Sequence, residues 1–247
     1  MRPKASARAT VPTRAMALTR AAVLVLTALL AGVACTAEPD GPAGPVTARA
    51  PASVPPNGLE RAVLAADDVP GYEISGAPAL DTGADRAPRA DRAACAPLAE
   101  VMGGAPDDRA RATVSRGLGA RRNPGLAVSA SLSAYAPPDA RRLIARLRAA
   151  LAHCGTAFDT LLDGHRATYR DVRAAPYEVR GEESVSWTAT ATGQGAPAPV
   201  HLVVVRRGAT IVRFMAIDLS GRAPATVAVP HDIADRQLDK LARILGA

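Results

Sequence analysis

The chain is poor in the residue types from which most catalytic and carbohydrate-binding sites are built. Aromatic side chains make up 3% of its 247 residues, with one tryptophan, two phenylalanines and four tyrosines, so a stacked sugar platform is badly supplied. Lysine occurs only at Lys4 and Lys240, which leaves the SxxK arrangement of penicillin-binding chemistry without a setting. No serine sits in a GxSxG elbow, there is no HExxH, and the four histidines, His153, His165, His201 and His231, are scattered. Phosphate loops of the GxGxxG or Walker type are missing too. The carboxylate neighbours Asp67-Asp68, Asp107-Asp108 and Glu182-Glu183 diverge along a helix or strand, whereas glycosidases oppose two carboxylates about 5 to 10 Å apart. They read as solvated element ends. The expectation is a chain with no catalytic residues, no metal and no cofactor.

No apolar run reaches the about 20 residues needed to cross roughly 30 Å of hydrocarbon. The first 34 residues instead carry Arg2, Lys4, Arg8, Arg14 and Arg20 without an acid, then the short run Ala21 to Ala34. A basic segment, a short apolar segment and small residues at its end form a secretory signal, so residues 1–34 are expected to direct export. Met16 could start a compact signal by itself, making residues 1–15 an upstream extension. Cys35 follows Gly32-Val33-Ala34, which resembles the lipobox of bacterial lipoproteins, with Gly32 where Leu, Val or Ile is usual. A diacylglyceryl group on Cys35 would anchor the chain stably, because one acyl chain alone is marginal. The alternative is a plain signal-peptidase cut that leaves a freely secreted protein.

Three cysteines, Cys35, Cys95 and Cys154, are an odd count. Lipidation of Cys35 resolves it, and an oxidising compartment lets Cys95 and Cys154 pair. The rival, a metal site of His153, Cys154 and Cys95, has no CxxC, no HxxxH and no evident fourth ligand. Charge follows the same division. The whole chain is +7, but the leader holds five of the 30 basic residues and none of the 23 acidic ones, leaving 25 against 23. A surplus of two gives no reason to expect nucleic acid as a partner.

Residues 35–57 are rich in Pro, Ala and Gly and read as a disordered tether. Residues 58–247 suffice for one domain with a real core. Asn57 is placed to cap a first helix that ends before Pro70, and residues 76 to 94 read as an irregular surface loop. A short helix starts at Pro97 and closes at Gly103-Gly104. Strands are expected around 110–118 and at 126–134, where Leu126, Val128, Ala130 and Leu132 alternate with Ala127, Ser129 and Ser131. Asp139 to Cys154 is the clearest amphipathic helix, with Leu143, Ile144, Leu147, Ala150, Leu151 and Cys154 on one stripe. Its arginines, Arg141, Arg142, Arg146 and Arg148, are a solvated face or an attraction for anionic headgroups near the tether. Four strands follow, at 165–172, 183–190, 200–206 and 210–219, the last two joined by a hairpin at Arg207-Gly208-Ala209. A helix from 232 to 245 ends the chain. This order predicts an α+β domain, a twisted antiparallel sheet of about six strands with helices packed on one face.

Four segments taken together resemble actinobacterial lipoproteins and receptor-kinase ectodomains of the PknH type. They are Leu59 to Tyr72, Cys95-Ala-Pro-Leu, the amphipathic helix closing on Cys154, and the hairpin from Val203 to Val212. The excess of arginine over lysine, with the Ala, Pro and Gly content, is also what a G+C-rich actinobacterial genome encodes. The resemblance covers roughly residues 58–247 and implies an extracytoplasmic sensor-like fold similar to the Mog1/PsbP-like group, with a cleft for an unknown ligand. PknH-type ectodomains carry two disulfides and this chain can make one. There is no kinase segment, so signalling would require a partner.

The leading expectation is a non-catalytic, lipid-anchored binding or sensor-like domain on the outer face of the cytoplasmic membrane, with a small-molecule, lipid or protein ligand. An envelope protein-protein interaction module and an enzyme with an unrecognised active site are the alternatives. Trp187 is the one residue singled out for ligand contact, with a place in the core on its alternating strand as the competing reading.

Overall fold

Central strands with apolar side chains on both faces organise the structure, a computed structural model describing residues 56–76, 87–104, 108–193, 195–221 and 226–246. In chain order the elements are α1 (Pro56–Ala62), β1 (Tyr72–Ser75), β2 (Arg89–Ala90), α2 (Ala96–Met102), β3 (Ala112–Ala120), β4 (Leu126–Ala134) and α3 (Pro137–His153). Then come β5 (Ala157–Leu162), β6 (His165–Ala174), β7 (Glu183–Thr192), β8 (Ala198–Arg207), β9 (Thr210–Asp218) and α4 (His231–Leu245). The strands form one antiparallel sheet in the order β1-β3-β4-β9-β8-β7-β6-β5-β2. The α+β class is as expected, but the sheet has nine strands where about six were expected.

The three additional strands are β1, β2 and β5. Four residues with two inward side chains, Tyr72 and Ile74, or a two-residue pairing of Arg89 and Ala90 with Leu161 and Thr160, are too short to show a period. β5 turns back into β6 at once through Asp163 and Gly164, both at positive φ. The β8–β9 hairpin closes as predicted, on Arg207 opposite Thr210 with Gly208 at φ +57°. The first helix is shorter than its apolar pattern suggested. It begins at Pro56, so Pro56 and Asn57 belong to its first turn and not to the tether, and Asn57 does not cap it. Its end is set by Gln237, fully buried on α4, which donates to the Ala62 carbonyl at 2.8 Å and accepts from the Leu64 amide at 3.0 Å.

The expectation that helices pack on one face is corrected. α1 and α4 pack with Leu118, Val128, Ala130, Leu132, Val203, Val205, Val212 and Phe214 on one side of the sheet. On the other side α2 and α3 pack with Phe158, Val172, Val185, Trp187, Leu202, Val204, Ile211 and Met215. Strands β8 and β9 are therefore buried on both faces. The cover is diagonal: α1 and α4 lie over the β3-β4-β9-β8 half, α2 and α3 over the β5-to-β9 half on the reverse. Each pair of helices leaves part of its own face of the sheet to polar side chains.

Residues 1–55, with the leader, Cys35 and nearly all of the tether, lie outside the described residues, as does Asp107. Among the described residues no helix is long and apolar enough to cross a membrane.

Candidate functional site

Cys95 and Cys154 are joined in a disulfide that spans 59 residues of sequence, with both side chains fully buried. It ties the turn before α2 to the end of α3. Trp187, on the same side of the sheet, is fully buried in the core beneath α3 and exposes nothing to a ligand. Its Nε1 has no hydrogen-bond partner among the described residues.

The carboxylate neighbours that read as solvated ends do more than that. Glu182 and Glu183 converge on the buried Arg206, with Glu182 Oε2 2.6 Å from Nη1 and Glu183 Oε2 2.6 Å from Nε, and Glu182 also accepts the Gly208 amide. That amide and the Arg206 guanidinium hold Glu182 below the usual carboxylate range. Together they staple the hairpin. Burial pushes the Asp68 carboxyl up, but hydrogen bonds from Lys240 and the Ala65 amide outweigh it and keep the group below its ordinary value. Three of the four α3 arginines are paired with acids, Arg142 with Asp139, Arg146 with Glu100 and Arg148 with Glu183. Of the two readings of that face, solvated helix or headgroup attraction, the paired charges favour the first.

One serine and histidine meet in the interior. His201 on β8 is 3% exposed, and its Nε2 lies 2.8 Å from the Ser186 hydroxyl on β7. Its Nδ1 lies 2.9 Å from the Val229 backbone nitrogen. A backbone N–H can only donate, so Nδ1 is the acceptor and the ring proton of the neutral imidazole sits on Nε2. Nε2 therefore donates to Ser186. A serine nucleophile requires the reverse, an unprotonated Nε2 that takes the hydroxyl proton while an acid holds Nδ1–H. Burial, helped by His231, lowers the His201 pKa to about 4 and keeps it neutral. Tyr177 tilts against His201 at 5.4 Å and stacks on His231 at 4.3 Å. The cluster anchors α4 and the extended segment before it, at Val229, to the sheet.

The open polar surface lies beside this cluster, on β5, β6 and β7, facing the same way as α1 and α4. The β7 side chains there are Ser184, Ser186, Thr188, Thr190 and Thr192, alternating with the buried Val185, Trp187 and Ala189. β6 would present only alternate residues to this face if it were regular. A bulge intervenes: Arg170 pairs with Thr190 and Arg173 with Thr188, so three steps on β6 oppose two on β7. Asp171 takes φ +54° at the extra position. Val172 is thereby turned into the core with Tyr169, and Arg170 and Arg173 emerge on the same open face. Both arginines are exposed.

Two depressions flank them. An open concavity of about 440 Å³ is lined by Asp91, Arg92, Thr156, Asp159, Thr168 and Arg170. A notch of about 20 Å³ is lined by Asp171, Arg173, Thr188, Thr190, Pro199 and Thr226. The acids of the larger one are engaged. Asp159 accepts from the Thr168 hydroxyl at 2.7 Å and pairs with Arg166 at 2.9 Å, contacts that hold it below the usual carboxylate range. Asp91 caps the Asp159 amide at 3.1 Å. Sequence reading missed this surface, although Tyr169 and Val172, two apolar residues three apart in a strand, mark the bulge.

The extracellular domain of PknH from Mycobacterium tuberculosis shares this fold, with a TM-score of 0.51 at 11% identity over 79% of this chain and 99% of that domain. An uncharacterized protein from Mycobacterium smegmatis, an ortholog of Rv0999, aligns over 72% of this chain and 90% of its own with 14% identity and a TM-score of 0.40. No family model and no curated protein matches the sequence.

Proposed function

We propose that this chain is an exported, lipid-anchored extracytoplasmic domain that binds a ligand on the open face of β5, β6 and β7 and converts nothing chemically. The observation that carries the reading is the diagonal helix cover, which leaves a three-strand face lined by two exposed arginines and a row of threonines. The shared fold with a receptor-kinase extracellular domain supports an outward-facing, sensor-like role. The proton arrangement of the buried Ser186–His201 pair argues against hydrolysis there. Attachment through Cys35 is part of the same proposal, and a signal received here would pass to a partner.

Native mass spectrometry of the full chain against envelope lipids and metabolites tests it. A retained adduct of unaltered mass supports a binding domain, and conversion of the bound compound contradicts it. For the anchor, Cys35→Ala is expected to move the protein from the membrane fraction to the soluble one. A variant that stays with the membrane would count against lipidation.

A further inference from the structure

We infer that the ligand is held through a phosphate ester at Arg170 and Arg173, an assignment that rests on the binding role just proposed and gives it a chemistry. The two guanidinium groups are carried to one face by the bulge at Asp171, opposite Thr190 and Thr188. Nearly every other arginine around this surface is committed. Arg166 is held by Asp159, Arg206 by Glu182 and Glu183, and Arg92 reaches the Ala157 carbonyl. The side chains of Arg170 and Arg173 make no hydrogen bond or ion pair with the described residues, although the Arg170 charge helps to hold the Asp159 carboxyl below its ordinary value. A left-handed backbone at a residue other than glycine is a costly way to present two unpaired cations, and such conformations cluster at ligand sites.

A second observation stands apart from the charges. Thr188 Oγ1 is buried and has no partner among the described residues, and Thr188 lines the 20 Å³ notch together with Arg173. That space holds about one water or one ligand oxygen. An oxygen placed there would satisfy the Thr188 hydroxyl while Arg173 supplies charge, and Arg170, on the same face opposite Thr190, lines the larger concavity. Guanidinium groups match the geometry of phosphate oxygens and bind them through charge-assisted hydrogen bonds. Asp171, the acid nearest the pair in sequence, lines the notch and disfavours a simple high-affinity anion sink. It suits an ester whose hydroxyl-bearing part faces the carboxylate. A free phosphate ester and the headgroup of an anionic lipid share this chemistry.

The test uses the exported chain carrying Cys35→Ala, so that an anchor does not mask binding. Calorimetric titration with glycerol 3-phosphate forms one arm, and flotation with phosphatidylglycerol against phosphatidylcholine vesicles forms the other. Binding in either arm is expected to weaken about tenfold in Arg170→Gln and in Arg173→Gln, the loss of one charged hydrogen bond. Thr188→Val is expected to weaken it several-fold, and Arg141→Gln, an equal charge change on α3, to leave it unaltered. Unchanged circular dichroism and melting of these surface variants show that folding is not the cause. A response to the soluble ester identifies a free ligand, and a response to anionic vesicles alone identifies a headgroup. No binding in either arm, or an equal loss in Arg141→Gln, overturns the assignment. An uncharged compound retained in native mass spectrometry would overturn it too while leaving the binding role intact, whereas hydrolysis of glycerol 3-phosphate would remove the non-catalytic role.

Discussion

His201 shows how a buried side chain in this protein is tied to its surroundings by both ring nitrogens. Its folded pKa of about 4 lies below the ordinary 6.5 because burial disfavours the charged ring, and His231 adds repulsion. The unfolded chain therefore binds a proton that the folded one refuses, and the contribution to stability is complete above pH 6.5 and lost as pH falls toward 4. The size is roughly 3 kcal/mol, from the gap between 6.5 and about 4 at 1.36 kcal/mol per pH unit. In His201→Asn the fall in unfolding free energy between pH 6.5 and 4, measured by denaturant titration, is expected to shrink by that amount. An unaltered pH slope would show that the ring is not held neutral. The same proton placement predicts that Ser186→Ala lowers stability by about 1 kcal/mol, read by denaturant titration.

The elements are joined by a small number of specific links, and each can be cut. Gln237 is the only fully buried amide side chain among the described residues, and it serves α1 from α4 across 173 residues of sequence. Gln237→Leu would leave the Leu64 amide and the Ala62 carbonyl without partners, and a loss of about 3 kcal/mol is expected in chemical denaturation. The disulfide fastens α3 to the start of α2, and replacing both Cys95 and Cys154 by alanine is expected to cost about 4 kcal/mol for a closed loop of 59 residues. The sequence made α3, α4, β4 and the β7-to-β9 strands legible because each is long enough to repeat its period. It hid β1, β2 and β5, which are too short for that. It also hid the diagonal cover. The run Leu202-Val203-Val204-Val205 signals burial on both faces of β8, but which helix takes which face is settled only by tertiary packing. The open site was half visible: the Ser and Thr row of β7 reads directly, whereas the paired arginines depend on a bulge that breaks the alternation.

For the whole molecule, two helix pairs on opposite sides of one large sheet leave a face free without exposing the core. The outer strands of the sheet are short, four residues in β1 and two in β2, which limits edge-to-edge pairing with other chains. Much of the surface charge is compensated in local pairs, and on the open face of β5, β6 and β7 Arg170 and Arg173 stand outside those pairs. A domain of this kind, held at an outer membrane face by Cys35, would present the β5-to-β7 surface to ligands of the envelope. Native mass spectrometry of the wild-type chain and the Arg170→Gln/Arg173→Gln double variant, after identical exposure to an envelope extract, separates a ligand held by these arginines from one held elsewhere. An adduct of unaltered mass is expected on the wild type and not on the double variant. The same adduct on both proteins would contradict binding through Arg170 and Arg173.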